Sequence, residues 1–340
     1  MIRKAIEKVV ECVDLEEQEM IDVMNFIMSG EATPNQISAF LIGLRMKGET
    51  VSEITAAARV MRQKANKVKY KGENVVIDLC GTGGDKKGTF NISTVSSFIV
   101  SGAGIAVAKH GNKSVSSKVG SADVLEELGV NIGINPASSE KCLNELGIAF
   151  LFAPNYHPAM KNVSQTRMEI AVRTIFNVLG PISNPVDLKH QVIGVYSHAL
   201  LEPIAKVLRN MGYERAMVVH GTDSLDEITV TGKTYVSELK DGIVKNYKLD
   251  PGALGIKKAD LKELKGGDRK QNAEIAISIL TGEENGAKRD IALLNASASI
   301  LVANEASDFK EAFDIAVSSL DSGKALGKLG ELINFTNSVN

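Results

Sequence analysis

The residues best suited to chemistry lie in a glycine-rich turn in the first third of the chain. An apolar run, Val75 to Leu79, is followed by Gly81-Thr82-Gly83-Gly84-Asp85, and Asn91-Ile92-Ser93-Thr94 then opens an apolar segment with helical spacing. This order predicts a strand, a loop and a helix. Glycines adopt positive φ and let backbone N–H groups approach a ligand, and the free N–H groups at the start of the helix add partial positive charge. The loop is therefore suited to an anion such as phosphate.

The glycines alone leave a second interpretation open, a tight connection between strand and helix that binds nothing. The loop contains neither G-x-x-x-x-G-K-[ST] nor G-x-G-x-x-G in the dinucleotide-binding register. A P-loop kinase or a nicotinamide-dependent dehydrogenase is therefore disfavoured.

Polar residues also follow the next predicted strand. Lys109-His110-Gly111-Asn112 lies at its carboxyl end, and shortly after come Ser116, Ser117, Lys118, Gly120 and Ser121. Parallel strands place their carboxyl ends at one edge of a sheet, so we expect both loops to form one site. Hydroxyl groups and a cation at this density favour phosphate or pyrophosphate as the ligand. The alternative is a polar turn without function.

Charged residues farther along the chain could complete such a site. Asp226-Glu227 lies in a loop after the strand predicted to end near Val219, where both carboxylates can face one metal ion. A solvated acidic turn explains this pair equally well. Arg167 lies in a helical stretch, and Arg173 follows six residues later. A lone helical arginine is ordinarily a surface residue.

Helical periodicity covers the chain from Ile2 to Gln63 and predicts four helices. The cap signals are Asp14 with Glu17, Thr33 with Pro34, and Thr50 with Glu53, and the third helix is expected to end at Gly48. One face of the first helix would carry Ile2, Ile6, Val9, Val10 and Val13.

After Val75 the pattern changes to short apolar runs that alternate with helices. The strand candidates are Val75–Leu79, Ile105–Ala108, Ile148–Phe152, Gln191–Tyr196 and Ala216–Val219, followed by two antiparallel segments between Gly232 and Leu249. The pattern from Pro158 to Leu179 predicts one long helical stretch that leaves the sheet and packs on the N-terminal helices. The tail from Ala259 is predicted to be helical again, with an apolar face that carries Ile275, Ile277, Ile279 and Leu280. We therefore predict an α/β protein with a mostly parallel central sheet flanked by helices. Residues 1–68 would form a small all-helical domain, joined by helices from about 158–180, and residues 72–340 a large α/β domain.

Composition limits the possible partners. Of 340 residues, 44% are apolar, and 39 basic against 41 acidic residues give a formal charge of −2, so no global basic field would attract nucleic acid or a membrane. The three cysteines, Cys12, Cys80 and Cys142, have no C-x-x-C partner, which favours a reducing compartment. No apolar run approaches the roughly eighteen residues of a membrane span. We expect a cytoplasmic protein that acts on small molecules.

The motifs taken together are far more specific than any one loop. GTGGD with TFNIST, KHGN, SSKVGSADVLEELG, HPAMKNV with Arg167, NVLGPISNP and the acidic pair, in this order, closely resemble the anthranilate phosphoribosyltransferase family of tryptophan biosynthesis. The resemblance covers essentially the whole chain. It implies a fold like that of the pyrimidine nucleoside phosphorylases, a homodimer formed through the small helical domain, and the Mg²⁺-dependent transfer of a phosphoribosyl group from 5-phosphoribosyl 1-pyrophosphate to anthranilate.

The resemblance also implies residue roles. Lys109, Asn112 and Arg167 would be catalytic. Phosphoribosyl pyrophosphate would be held by Gly81, Gly83, Gly84, Asp85, Thr89, Asn91, Ser93, Thr94, Lys109 and Ser121. Anthranilate would be held by Gly81, His110, Asn112, His157, Arg167 and Gly180. Two Mg²⁺ ions per active site would be bound by Ser93, Asp226 and Glu227.

Two positions depart from the family pattern, which usually has glycine after GTGGD and arginine after KHGN. Here they are Lys86 and Lys113, so we expect weaker or differently shaped phosphate contacts with the reaction unchanged. Two other functions stay open: a pyrimidine nucleoside phosphorylase, and a non-catalytic paralogue of the same fold that binds nucleic acid. KHGN and the acidic pair speak against the first, and the near-neutral charge with Arg167 and Asn112 speaks against the second.

Overall fold

Helices alone build the first part of the chain, and strands alternate with helices in the rest. The computed structural model describes residues 1–113 and 119–339. The first four helices are α1 (Ile2–Val10), α2 (Glu17–Met28), α3 (Pro34–Lys47) and α4 (Val51–Gln63). The sheet and the helices between its strands are β1 (Val76–Gly81), α5 (Ile92–Gly102), β2 (Ala106–Gly111), α6 (Ser121–Glu127), α7 (Pro136–Leu146), β3 (Ile148–Phe152), α8 (Ala153–Tyr156), α9 (Lys161–Ile170), α10 (Phe176–Leu179), β4 (His190–Gly194), α11 (Leu201–Asn210), β5 (Arg215–Gly221), β6 (Thr234–Lys240) and β7 (Ile243–Leu249). The tail forms α12 (Arg269–Leu280), α13 (Ala287–Val302), α14 (Phe309–Asp321) and α15 (Lys324–Ser338).

The predicted helical unit is confirmed, and its caps explain most of its boundaries. Thr33 and Gln36 form a capping box at the start of α3, with Pro34 as its first residue, and Gly48 ends α3 with φ +88°. Thr50 and Glu53 cap α4 in the same way, so that the first N–H groups of each helix are satisfied.

Two predictions about this helical unit are wrong. The capping box of α2 is Glu16 with Glu19 rather than Asp14 with Glu17, because Asp14 pairs with Lys47 of α3 at 2.6 Å instead. Helix α1 ends at Val10, so Val13 lies beyond it. Val10 itself is not on the buried face of α1, which carries Ile2, Ala5 and Val9. The exposed fractions of Val10 and Val13 are 66% and 45%.

A single seven-stranded sheet forms the centre of the remaining chain, in the order β3-β2-β1-β4-β5-β6-β7. The first five strands in this order run parallel, and β6 and β7 add an antiparallel hairpin, so the predicted mostly parallel sheet is confirmed. Gly81 of β1 pairs with Gly194 of β4, which places the carboxyl ends of these strands side by side. The chain leaves β1 toward β2 on one side and enters β4 on the other. The loops after β1 and β4 therefore diverge and leave a crevice, where ligands bind in such sheets.

Helices α5 and α13 pack against the strands that end at this edge. Helix α5 follows the glycine-rich turn directly and packs on β1 and β2, while α13 packs on α5, β4 and β5. Every residue from Ile291 to Val302 of α13 is buried. The tail is helical as predicted, although Ile277 lies 38% exposed on the outer side of α12.

The stretch from Pro158 to Leu179 packs on the N-terminal helices as predicted but is not one long helix. A 3₁₀ turn at Pro158–Met160 leads into α9, which contacts α2 and α3, and α10 contacts α4. Between them Ala171 adopts the left-handed conformation with φ +48° and ends α9. No glycine or proline marks this break, so the sequence pattern gave no sign of it. In the described residues no helix is long and apolar enough to cross a membrane.

Candidate active site

The glycine-rich turn after β1, residues 82–88, is here called the glycine loop. Gly83 and Gly84 have φ of +69° and +77°, and Lys86 has φ +60°. The Thr82 amide donates to the Gly194 carbonyl at 2.8 Å, and the Gly83 amide donates to Asp226 Oδ2 at 2.6 Å. Among the hydrogen bonds of residues 1–113 and 119–339, the next three amides, those of residues 84–86, donate none. Consecutive unpaired amides in left-handed turns form a concave site for an anion.

Lys86 occupies a backbone conformation that suits glycine. A residue with a Cβ in the left-handed region costs roughly 1–2 kcal/mol, so lysine strains the loop where the family resemblance predicted glycine. The other departure, Lys113, does not extend toward the loop. Its ammonium group pairs with Glu126 of α6 at 2.9 Å.

The far end of the glycine loop is anchored by a segment that the sequence did not indicate. The Phe90 amide donates to the Leu264 carbonyl, and the Gly266 amide donates to the Gly88 carbonyl, at 3.1 Å each. Thr89 therefore lies opposite Lys265 in a short antiparallel bridge. A Cβ on Gly266 would lie 2.9 Å from the backbone of Phe90, which explains why only glycine fits there.

Lys109 connects the first two predicted loops. Its side chain is buried, and Nζ donates to the Leu79 carbonyl at 2.8 Å and to Ser93 Oγ at 3.2 Å. Burial lowers the pKa of Lys109, and the negative charge of Asp78 opposes that shift. Ser93 and Thr94 lie in the first turn of α5, and the buried Thr94 hydroxyl has no hydrogen-bond partner among the described residues. A cation, two hydroxyl groups and the loop amides thus meet at one edge of the sheet.

The acidic pair is not a solvated turn. Burial, and the nearby Asp85 carboxylate, raise the pKa of Asp226 to about 6. Burial and the Asp226 charge raise the pKa of Glu227 to about 8, although Lys109 and the Ser93 amide oppose this rise. Three acidic side chains therefore lie close together, with Asp226 buried and Asp85 and Glu227 partly exposed, and a bound cation would relieve their repulsion.

The donor set around the pair fits Mg²⁺. No closed cage of three or more His, Cys, Asp or Glu side chains exists in the described part of the chain. Mg²⁺ does not need one, because it binds through one or two carboxylates and takes its remaining ligands from phosphate oxygens and water. Asp226, Glu227 and the Ser93 hydroxyl are the residues that would hold it.

Buried hydrogen bonds fix the loop that carries the pair. Asp223 accepts from the Thr229 and Thr231 hydroxyls at 2.6 and 2.5 Å. Asn295 of α13 accepts from the Ile228 amide and donates to the Ile228 carbonyl, at 2.9 Å each. The backbone directly after Glu227 is therefore clamped by a side chain 67 positions away, which no local pattern predicts.

Two glycines make room for the acidic pair at the ends of adjacent strands. A Cβ on Gly81 would lie 2.4 Å from Asp226 Oδ2, and one on Gly194 would lie 1.6 Å from the Asp226 carbonyl oxygen. Both distances are shorter than any real contact. The sequence alone did not single out Gly194, because it lies inside an otherwise ordinary apolar run, the predicted strand Gln191–Tyr196.

A second, drier group of predicted residues lies around two histidines. The rings of His110 and His157 have centroids 5.1 Å apart. Burial lowers the pKa of His110 to about 3, with a further contribution from His157, and burial lowers the pKa of His157 to about 4. The Gly180 carbonyl opposes the shift at His110, which places Gly180 beside this ring. Both histidines are therefore neutral at pH 7, and their Nε2 atoms have no partner within the described residues.

Asp78 ties this histidine group to the sheet. This buried carboxylate on β1 accepts from the Asn184 amide group at 2.9 Å and from the His110 backbone amide at 3.3 Å. Asn184 also donates to the Ala108 carbonyl at 2.8 Å. The NVLGPISNP segment, which carries Gly180, is thus fastened to β1 and β2 by residues that sequence reasoning did not select.

The predicted residues after β2 follow the carboxyl end of a strand that runs parallel to β1. The Asn112 carbonyl accepts from Ser121 Oγ at 3.4 Å and from the Ala122 amide at 3.3 Å. Asn91 donates to the Val119 carbonyl at 3.4 Å, which connects the start of α5 to this loop. Ser116, Ser117 and Lys118 lie outside the described residues.

The two arginines have different surroundings. The Arg167 guanidinium lies over the Phe176 ring, 5.2 Å from its centroid, and burial lowers the pKa of Arg167. In the parts of the chain that the structure describes, it makes no hydrogen bond to the glycine loop. Arg173 does: it donates to the Gly84 carbonyl and stacks 4.1 Å from the Tyr196 ring centroid.

Comparison with known proteins places this geometry in a family. Residues 3–65 match the glycosyl transferase family helical bundle domain, and residues 73–326 match the glycosyl transferase family a/b domain. Proteins named anthranilate phosphoribosyltransferase from Thermoanaerobacter sp. and Alkaliphilus metalliredigens are 52% and 51% identical to this chain. The first match covers 100% of both chains, and the second covers 99% of this chain and 98% of its relative. The chain belongs to the anthranilate phosphoribosyltransferase family.

Solved anthranilate phosphoribosyltransferase structures share the fold. The Thermus thermophilus protein superimposes with a TM-score of 0.93 at 40% identity, covering 98% of this chain and 99% of the other. The Saccharomyces cerevisiae protein, solved in complex with PRPP and Mg, has a TM-score of 0.91 at 28% identity, covering 99% and 98%.

Gly194→Ala tests how closely the acidic pair depends on the strand ends. The added Cβ overlaps the Asp226 carbonyl, so the loop must move, and a displacement near 1 Å costs on the order of a hundredfold in rate. We expect a loss of kcat/KM of that size, measured by steady-state kinetics.

Gly327→Ala, in α15, is the matched control. Nothing lies within 4 Å of its added Cβ, so it should retain wild-type activity. Wild-type activity in Gly194→Ala would contradict the requirement for close packing of Asp226 on β4.

Proposed function

We propose that this protein transfers the 5-phosphoribosyl group from 5-phosphoribosyl 1-pyrophosphate to the amine of anthranilate, giving N-(5-phosphoribosyl)anthranilate and pyrophosphate in tryptophan biosynthesis. One observation carries the proposal: free loop amides, Lys109 and the acidic pair Asp226 and Glu227 meet at one sheet edge, in a chain that matches this family from end to end. The S. cerevisiae relative has been solved with PRPP and Mg, and with 4-fluoroanthranilate.

The proposed phosphoribosyl pyrophosphate site follows the glycine loop and the start of α5. The amides of residues 84–86 would bind phosphate oxygens, and the Ser93 and Thr94 side chains would add hydroxyl donors. The remaining proposed contacts are Gly81, Gly83, Thr89, Asn91, Lys109 and Ser121. We propose two Mg²⁺ ions at Ser93, Asp226 and Glu227.

The proposed anthranilate site combines Arg167 with the histidine group. The neutral, buried rings of His110 and His157 offer a dry surface for an aromatic ring, and their unpaired Nε2 atoms offer polar contacts. Gly180 lies beside His110, and Asn112 is a further proposed contact. Arg167 would bind the anthranilate carboxylate, because its guanidinium is held against Phe176 in a partly desolvated position.

The chemistry needs little proton transfer before bond formation. An aromatic amine is unprotonated at neutral pH, so its nitrogen can attack ribose C1 directly. The N–C bond forms as the bond from C1 to pyrophosphate breaks, and the nitrogen then loses one proton to water. Lys109 and the loop amides stabilise the charge that grows on the leaving pyrophosphate, while Asn112, Arg167 and the histidine surface orient the nucleophile. When bound, Mg²⁺ supplies further positive charge to the pyrophosphate oxygens.

The two alternative functions receive less support. A pyrimidine nucleoside phosphorylase uses inorganic phosphate and has no need for a buried acidic pair beside the glycine loop. A nucleic-acid-binding paralogue has no need for an enclosed histidine pair. Relatives matching 99% or more of this chain carry the anthranilate phosphoribosyltransferase name, which speaks against both.

Fluorescence of anthranilate tests the proposal directly. Purified protein should consume anthranilate when both phosphoribosyl pyrophosphate and Mg²⁺ are present, and omission of either should stop the reaction. Loss of signal at the rate of buffer alone, with folded protein, would contradict the proposed function.

We further propose residues 1–68, joined by about 158–180, as the small domain and residues 72–340 as the large one, with dimerisation through the small domain. Exposed apolar side chains support this interface. Val10 at the end of α1 and Val13 shortly after it are both exposed, and Met46 of α3 is 81% exposed. Gly43 of α3 lies against Val9 and Val10 of α1, so these two helices present neighbouring parts of one surface. The free thiols of Cys12, Cys80 and Cys142 support a reducing, cytoplasmic location.

Met46→Lys should weaken the dimer, because it places an unpaired charge in an apolar contact. Sedimentation velocity over a range of concentrations should show the dissociation constant rising by at least about tenfold. Ile277→Lys, at another exposed apolar position, is the control and should leave assembly unchanged. A wild-type monomer, or an unaltered dimer in Met46→Lys, would rule out this interface.

Asp226→Asn combined with Glu227→Gln tests the metal assignment. The amides still accept the Gly83 hydrogen bond but remove the charge that binds Mg²⁺, so activity should fall by at least about a hundredfold. The melting temperature should not fall, because the substitutions relieve repulsion among buried carboxylates.

Partial recovery at high Mg²⁺ is the most that we expect in this double variant. Glu283→Gln removes an exposed carboxylate and serves as the control. Normal turnover in the double variant would show that the pair does not hold a metal ion.

Arg167→Ala tests the anthranilate site. A charge-assisted hydrogen bond is worth about 1.5–3 kcal/mol, so the anthranilate KM should rise roughly ten- to a hundredfold. The KM for phosphoribosyl pyrophosphate should change far less, as measured by varying each substrate in turn. Arg209→Ala, on the surface of α11, is the control. An unchanged anthranilate KM would leave Arg167 as a packing partner of Phe176.

A further inference from the structure

Within the described residues, Arg173 is the only side chain from the segment between α9 and α10 that donates a hydrogen bond to the glycine loop. Its guanidinium donates to the Gly84 carbonyl, and its plane lies over the Tyr196 ring at 4.1 Å. The side chain is half-buried. An arginine held by both a carbonyl and an aromatic face loses most of its freedom, so it acts as a fixed support rather than a mobile surface charge.

Tyr196 is itself part of the loop's attachment to the sheet. Its backbone amide donates to Thr82 Oγ1 at 3.0 Å, and the Thr82 amide donates to the Gly194 carbonyl at 2.8 Å. The beginning of the glycine loop is therefore tied to the end of β4. Arg173, resting on Tyr196, extends this attachment to Gly84.

The contact with the Gly84 carbonyl decides which way the next peptide faces. No peptide in the described residues is cis, and in a trans peptide the carbonyl and the following N–H point in opposite directions. Holding the Gly84 carbonyl at Arg173 therefore turns the Asp85 amide, one of the three unpaired amides of the loop, away from the arginine. Without this contact the peptide after a glycine can flip at little cost and present a repelling carbonyl to an anion.

The position of Arg173 depends on the break after α9. Ala171, with φ +48°, ends the helix that packs on α2 and α3 and redirects the chain toward the glycine loop. Had α9 continued, Arg167 and Arg173 would have stayed on one regular helix. The break separates them, so that one guanidinium stacks on Phe176 and the other on Tyr196.

We propose that Arg173 is a positioning residue for phosphoribosyl pyrophosphate. It fixes the Gly84–Asp85 peptide so that the amides of residues 84–86 face the phosphate oxygens. This inference rests on the proposed function, and it assigns the two arginines to different substrates: Arg167 to anthranilate, and Arg173 to phosphoribosyl pyrophosphate through the loop.

Arg173→Gln and Arg173→Lys test the proposal together. Glutamine removes the charge and the stacking, so the dissociation constant for phosphoribosyl pyrophosphate, measured calorimetrically with Mg²⁺, should rise about ten- to thirtyfold. The anthranilate KM should stay within about twofold. Lysine retains a cation that can reach the carbonyl and lie over the ring, so it should restore part of the lost affinity. Tyr196→Leu removes only the stacking face and should produce a smaller loss in the same direction.

The outcomes separate this inference from the function on which it rests. If wild-type protein binds phosphoribosyl pyrophosphate and Arg167→Ala raises the anthranilate KM, but Arg173→Gln binds phosphoribosyl pyrophosphate normally, the positioning role is wrong and the proposed function stands. Equal losses for both substrates, or no recovery with lysine, would likewise overturn it in favour of a general structural role. Failure of the wild-type protein to bind phosphoribosyl pyrophosphate would instead contradict the proposed function.

Discussion

The hydrogen bond from the Gly83 amide to Asp226 joins the loop after β1 to the loop after β5. It is 2.6 Å long and charge-assisted, and it forms where β1 and β4 end side by side without Cβ atoms. The other parts of the candidate site are arranged around it. The amides of residues 84–86 follow directly in the chain, and Glu227 adjoins the Ser93 amide and Lys109. A displacement of either loop would therefore separate the anion-binding amides from the carboxylates.

Charge explains why such an arrangement suits a metal-bound polyphosphate. The carboxylates of Asp85 and Glu227 each lie close enough to the buried Asp226 carboxylate for repulsion, and the buried Lys109 ammonium balances part of the charge of Glu227. Mg²⁺ would lower the energy of this cluster, and the pyrophosphate group would then find both a cation and free amides. Metal and substrate should bind cooperatively for this reason, because the metal removes the repulsion between carboxylates and pyrophosphate, and the pyrophosphate supplies further oxygen ligands to the metal.

Local signals predicted much of this protein. Helix ends were predictable because caps act within a few residues. Examples are the capping boxes at Thr33 and Thr50 and the C-terminal cap at Gly48. The five parallel strands follow from short apolar runs, and the meeting of the GTGGD and KHGN loops follows from their common direction. Other features depend on contacts between distant residues and left no such signal. Asn295 clamps a loop 67 positions away, Ala171 breaks a helix without glycine or proline, and Gly194 matters only because Asp226 packs on it. The contact of Arg173 with the loop left no local signal either, because it depends on the break after α9.

The most direct test of this account is the affinity of the wild-type protein for phosphoribosyl pyrophosphate with and without Mg²⁺. Isothermal titration in Mg²⁺ and in excess EDTA, at equal ionic strength, measures how far the acidic pair and the loop act as one site. The account predicts at least about tenfold tighter binding with Mg²⁺, since the metal links the carboxylates to the pyrophosphate. Equal affinity in both conditions would contradict the claim that the loops after β1 and β5 form a single metal-dependent site.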